Sequence, residues 1–134
     1  MKRFHDWPER LNHYFDSVAK KPFQWGENDC CTFARGAVQA ITGHVIEADA
    51  FDSYRCRSTA ALLLKDIGLK ERVTSALGEP IEPTFAQRGD IVMYEHEAHG
   101  PALGVCAGAV FYAPGDNFLQ WRRMFEAVCA WRVG

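Results

Sequence analysis

The chain has 134 residues, of which 48% are hydrophobic, 24% charged and 13% aromatic, with a formal net charge of −2. That length and apolar content suffice for one domain with its own buried core, and they exclude a disordered, collagen-like or coiled-coil chain. The near-neutral balance carries no electrostatic footprint for nucleic acid, and no apolar run approaches the ~20 residues that a membrane span needs.

The longest basic clusters are Lys20-Lys21 and Arg122-Arg123. The segment Met1 to Asp16 is charged and aromatic and has no signal-peptide core, so synthesis in the cytoplasm without export is the expectation. Five cysteines are present (Cys30, Cys31, Cys56, Cys106 and Cys129), an odd count without a CxxC pair. Ordinary zinc spacings are therefore missing and one thiol must stay unpaired, which fits a reduced protein with neither metal nor cofactor. No repeat, linker or low-complexity tract divides residues 1–134, so a single domain is expected.

The first helix is expected to start near Asp6, which stands with Glu9 in a D-x-x-E capping relation. Trp7, Leu11, Tyr14, Phe15 and Val18 fall on one face at helical spacing, and Pro22 is read as the stop. Phe23 to Glu27 connect to a second helix that follows Asn28 and Asp29, both good N-cap residues. Its apolar face is Phe33, Ala34, Ala37, Val38 and Ile41, and Gly43 ends it. A loop over residues 44–57, a third helix over 58–67 and a shorter one over 69–77 come next.

Pro80 and Pro83 break the helical pattern, and the signal changes to strands. Ile91 to Tyr94 follow the turn Arg88-Gly89-Asp90. Ala102 to Ala107, Val110 to Tyr112, Phe118 to Trp121 and Val128 to Val133 supply four more. Short turns between them predict an antiparallel meander. Helices followed by strands predict an α+β domain, with N-terminal helices packed on a C-terminal antiparallel sheet of about five strands.

Cys30 is the candidate nucleophile. It occupies the first turn of the second helix, where the helix dipole and unpaired backbone N–H groups stabilise a thiolate. Its spacing from Phe33, Ala34, Ala37 and Val38 puts it in the middle of the apolar stripe, facing the sheet. The same facts describe a small buried hydrophobe, which is how Cys31, Cys56, Cys106 and Cys129 are read.

The run Phe23-Gln24-Trp25-Gly26-Glu27-Asn28-Asp29-Cys30-Cys31-Thr32-Phe33 resembles the nucleophile segment of NlpC-type cysteine peptidases, compact papain-like enzymes that cut peptidoglycan stem peptides. That segment carries an aromatic residue, a Trp or Tyr with Gly, then Asp-Cys-Ser-Gly. Arg88-Gly89-Asp90-Ile91-Val92 resembles the Gly-Asp-Leu-Val that opens the family's first core strand. Ala102-Leu103-Gly104-Val105-Cys106-Ala107-Gly108 resembles its His-Val-Gly-Ile-Tyr-x-Gly strand. The likeness covers residues 22–115. With the terminal Ala130-Trp131-Arg132-Val133, the whole chain is more similar still to an uncharacterised branch found among phage and prophage tail genes.

The resemblance implies a papain-like NlpC-type fold with Cys30 at the nucleophile position. It places Ala102 where the family's base histidine stands and Tyr112 near the third, orienting position. Alanine cannot accept a proton, so the standard dyad is broken. His99 and His96, in the loop before Ala102, are candidate substitute bases, with Glu95 or Glu97 to orient them. Gln24 is a candidate oxyanion donor beside the Cys30 N–H. Asp29 is read as a helix cap, Trp25 and Gly26 as the packed turn into the helix, and Asp90 as a structural strand start. His96-x-x-His99 lacks further ligands and is not read as a metal site, and His5, His13 and His44 are read as surface residues.

The expected role is a tail-associated NlpC-like domain, at a tip or baseplate, degenerate as a cell-wall peptidase and kept for structure or binding. The alternative is an active peptidoglycan endopeptidase or amidase using Cys30 with a non-standard histidine. Expected partners are other phage tail proteins or a peptidoglycan stem peptide, with assembly into a virion tail after cytoplasmic synthesis.

Overall fold

The computed structural model describes residues 1–24, 27–47 and 68–134. Trp25, Gly26, Cys56 and the helix expected over 58–67 lie outside the described residues.

Helix α1 (Trp7–Val18) buries Leu11, Phe15 and Val18 along its expected face. The capping box at its start does not form: Asp6 makes no side-chain cap bond. Its carboxylate instead accepts from Arg10 Nε at 2.8 Å, and that guanidinium also lies over the Phe4 ring. The helix stops four residues short of Pro22, with Lys21 N–H already turning back to the Val18 carbonyl.

Helix α2 (Cys30–Thr42) begins on a complete capping box. Asp29 Oδ1 accepts from Thr32 N–H at 2.8 Å, and Thr32 Oγ1 accepts from Asp29 N–H at 2.9 Å. Gly43 closes the helix in the left-handed region at φ 74, where a side chain is strained. Helix α3 (Leu69–Leu77) coincides with the expected short helix and buries Leu69 and Val73.

Five strands follow: β1 (Ile91–His96), β2 (Gly100–Cys106), β3 (Val110–Pro114), β4 (Leu119–Arg123) and β5 (Ala127–Trp131). They form one antiparallel sheet in the order β4-β3-β2-β1-β5. The first four make the expected meander. The last departs from it, because β5 pairs with β1 at the opposite edge from β4. A flat sheet would hold those edges about 19 Å apart, at ~4.8 Å per strand spacing. The four peptide steps from Arg123 to Ala127 reach at most about 14 Å. The sheet is therefore strongly curled, and the 3₁₀ turn Met124–Glu126 crosses its concave side.

Curling gives the sheet two unequal faces. The convex face carries Ile91, Leu103, Val105, Cys129 and Trp131, which join Leu11, Phe15, Phe33, Val38 and Ile41 from the helices in the main core. The concave face carries Val92, Tyr94, Ala102, Cys106, Phe111, Ala113 and Ala130, covered by Ile81, Ala86 and Met124. Small residues suit the tight interior. At Gly104 a Cβ would meet the Phe111 ring at 2.6 Å and the Tyr112 carbonyl at 2.9 Å, so only glycine fits there.

Both chain ends are tied to the start of β1. Asp90 is fully buried and accepts from Arg3 Nη2 at 2.8 Å, Val133 N–H at 3.0 Å and Gln87 N–H at 2.8 Å. Arg3 also donates to the carbonyls of Val133 and Arg88. The buried carboxylate and guanidinium thus satisfy each other and fasten residues 3, 90 and 133 into one node.

Candidate active site

The segment that leads into α2 is fixed by backbone bonds. Gln24 and Asn28 pair antiparallel, and the Asn28 side-chain amide donates to the carbonyls of Lys21 and Pro22. Phe23 N–H reaches the Gly115 carbonyl at 3.0 Å, anchoring the segment to the β3–β4 turn. The β1–β2 hairpin closes the third side. The His99 ring stacks on Phe23 with centroids 5.6 Å apart, and His96 stacks on His99 at 4.5 Å. Three loops thus converge at the N-terminal end of α2.

Cys30 is half-buried here and packs against both the main core and the concave cluster. By helical spacing Cys30 falls among Phe33, Ala34, Ala37 and Val38 in the apolar stripe, while Cys31 stands at its edge and is 2% exposed. The two sulfurs are 4.0 Å apart. The hydrogen bond with Cys30, then burial, raises the Cys31 thiol well above its ordinary range, so Cys31 stays protonated.

Ala102 lies on the concave face, in register with Tyr94 across the β1–β2 pair. It is 4% exposed, and Tyr94 is 3% exposed. The Tyr94 ring packs on Phe111 at 5.0 Å, and the Arg122 guanidinium lies 4.7 Å from its centroid. Arg122 is held in turn by both Glu97 oxygens, at 2.8 and 2.9 Å, and by Glu126 at 3.1 Å. Burial first, and then the nearby Cys30 sulfur, push the Tyr94 hydroxyl upward, so the phenol is neutral at physiological pH.

The structure gathers Cys30, Asp29, Ala102, His96 and His99 around this end of the sheet, with Gln24 in the adjoining loop. Tyr112 is not among them. It pairs with Val105 on the convex face and meets Phe15 edge-on at 4.8 Å. His96 Nδ1 accepts from Ala98 N–H at 3.0 Å and lies 3.9 Å from Glu97. Among the described residues no three His, Cys, Asp or Glu side chains converge as metal ligands. His5, His13 and His44 are exposed.

Tyr94 and Arg122 are site residues that the motif reading passed over. A signal for Tyr94 was present: alternation along β1 puts it on the face of Val92, and a hairpin turning at 97–99 sets it opposite Ala102. Arg122 had no such signal, because its position above Tyr94 depends on the curl of the sheet.

This architecture is that of the NlpC/p60 fold. The chain superposes on the crystal structure of the NlpC/p60 domain of peptidoglycan hydrolase SagA with a TM-score of 0.59 and 17% identity, over 94% of this chain and 95% of that one. Residues 2–133 match the family described as a domain of unknown function, DUF6950, and the chain belongs to that family. No curated protein matches the chain. No described helix is long and apolar enough to cross a membrane.

Proposed function

We propose that this chain is an NlpC/p60-fold domain that has lost peptide-bond cleavage and keeps its cleft for binding, as a tip or baseplate component of a phage-type tail. The observation that carries the loss of cleavage is Ala102. The family's base position is filled by a buried methyl group facing a neutral phenol, and neither can take a proton from Cys30. The tail location is supported by the resemblance of the whole chain to the tail-gene branch. The ligand is then an extended peptide, from a neighbouring tail protein or from a peptidoglycan stem.

Digestion of purified cell wall tests the chemistry. No release of soluble fragments is expected from either the wild type or Cys30→Ala. Lysis by the wild type that Cys30→Ala abolishes would sink this reading. Co-purification with tail proteins tests the location, and a chain that stays monomeric in their presence counts against it.

A second reading has one specific observation behind it. The ring stack Phe23–His99–His96 lies on the segment that leads into Cys30. In that reading a loop histidine serves as base and Gln24 helps bind the oxyanion. It requires wall digestion that both Cys30→Ala and His99→Ala abolish.

A further inference from the structure

The sheet has two edges, and they are finished differently. At β5 the backbones of Ala130 and Ile81 exchange two hydrogen bonds, at 2.7 and 3.0 Å, which closes that side. At the other side β4 pairs with β3 alone. Two bonds show which of its residues face outward. Leu119 N–H turns away from β3 and donates to the Ala19 carbonyl at 2.8 Å, while the Val110 carbonyl, opposite Arg123, accepts from Ala107 N–H on the β2 side. Alternate residues of an antiparallel strand face alternate neighbours. Trp121 and Arg123, in step with Leu119, therefore aim their N–H groups and the Trp121 carbonyl out of the sheet. Among the described residues nothing pairs with these groups. An open row of backbone donors and acceptors is a template for one more strand.

The side chains along this edge state what that strand would carry. Trp121 stands opposite Tyr112 on the convex side, where the helices leave it 59% exposed. Phe118 before the strand and Phe125 after it are exposed as well. The two basic clusters of the sequence also meet here. The Ala19–Leu119 bond brings Lys20 and Lys21 to the start of β4, and Arg123 ends it. Glu97 and Glu126 neutralise Arg122. Lys20, Lys21 and Arg123 are exposed and form no ion pair among the described residues, although Asp16 and Asp116 lie in the same stretch.

Charge argues against a second copy of this chain. A two-fold antiparallel pair of β4 strands centred on Trp121 would set each Arg123 opposite the other copy's Leu119, beside that copy's Lys20 and Lys21. Cations would gather at both ends of the pair, and like charges across a strand pair are destabilising. A carboxylate opposite Arg123 has the reverse effect.

We propose that the free edge of β4 takes an extended segment of another protein as an added strand, with an apolar side chain opposite Trp121 and carboxylates opposite Arg123 and beside Lys20 and Lys21. Main-chain bonds supply the affinity, and the alternate side chains supply the selection. This surface is distinct from the cleft at Cys30 and does not depend on the reading of that cleft.

The probe is the peptide acetyl-TETFTET-amide, which as a strand shows glutamate, phenylalanine and glutamate on one face. It is added to the ¹⁵N-labelled full chain. The Trp121 and Arg123 amide protons are expected to move downfield and to exchange more slowly. Replacing both glutamates by lysine is expected to weaken binding about two- to fivefold, and Arg123→Glu to reverse that order. Methylating one alternate set of peptide nitrogens should abolish binding and methylating the other should spare it, since a strand shows one set to its neighbour.

Unmoved Trp121 and Arg123 amides overturn the proposal, as do shifts confined to the segment around Cys30. Equal affinity for the glutamate and lysine peptides overturns the acidic partner. A dimer in sedimentation equilibrium that Trp121→Lys dissolves gives the edge to a second copy and overturns the proposal too. Should Arg123→Glu fail to fold, the glutamate, lysine and methylated peptides on the wild type decide alone.

Discussion

The two faces of the one sheet have opposite designs. The convex face is packed with large side chains, with Trp131, Leu103, Val105 and Ile91 fully buried against two helices. The concave face is lined by alanines, a valine, a cysteine and two aromatic rings, all buried, with Cys30 packed against them. The same contrast appears in the two arginine–carboxylate clusters. Arg3–Asp90 is buried, with side-chain exposures of 13% and 0%, and ties both termini to β1. Arg122–Glu97 bridges β4 to the hairpin beside the cleft, and Glu97 is 72% exposed. One half of the molecule buries large side chains between sheet and helices, while the other packs mostly small residues around two rings inside the curl.

Breaking the stable half should have the largest effect. Asp90→Ala strips the acceptor from a buried guanidinium and from two backbone N–H groups, and should cost about 3–5 kcal/mol by urea denaturation. A loss below about 1 kcal/mol would mean that water readily replaces the carboxylate.

Neighbouring residues on opposite faces give the most direct contrast. Leu103→Ala on the convex face leaves a cavity in the main core and should cost about 2–5 kcal/mol. Ala102→Leu on the concave face overpacks the cluster by Tyr94 and should cost about 1–3 kcal/mol, while slowing Cys30 alkylation several-fold. Equal stability losses with unchanged alkylation would erase the distinction between the faces.

The smallest effect belongs to the exposed ion pair. The hydrogen bonds from Arg122 lower the Glu97 carboxyl to about 2. A carboxyl depressed in the folded state adds stability above its unfolded value, near 4.3, and that stability fades as the pH falls toward 2. Thermal unfolding between these limits should therefore decline more steeply in the wild type than in Glu97→Gln. Added salt should shrink the difference, as expected for a solvated pair. Identical acid profiles would show that the bridge contributes nothing to folding.

Local patterns in the chain identified much of the fold. Asp29 and Gly43 mark the limits of α2 because caps act within a turn. Leu69–Leu77 and the five strands follow from periodicity and turn residues in the same way. Where side chains had a competing partner, local reading failed. Asp6 has the spacing of a capping box, but Arg10 holds its carboxylate. The meander likewise predicted β5 beside β4, while pairing with β1 won.

The candidate site was legible in part. Cys30 and Ala102 were singled out by motif resemblance, and Cys30 packs against the cluster that contains Ala102. Tyr112 could not be assigned to a face until its register with Val105 was known, and it belongs to the other side. Cys30 and Cys31 stand about 100° apart around the helix, and tertiary packing rather than position in the stripe makes Cys31 the more buried of the two.

By itself, the sequence determined the limits of α2, the place of α3 and the approximate strand positions, since each depends on neighbours within a few positions. The tertiary structure alone decided that the sheet curls, that Tyr94 stands across from Ala102 beside Cys30, and that Arg122 covers Tyr94. Those contacts join residues far apart in the chain, and they arise from a short link between opposite sheet edges, a constraint that no local pattern encodes.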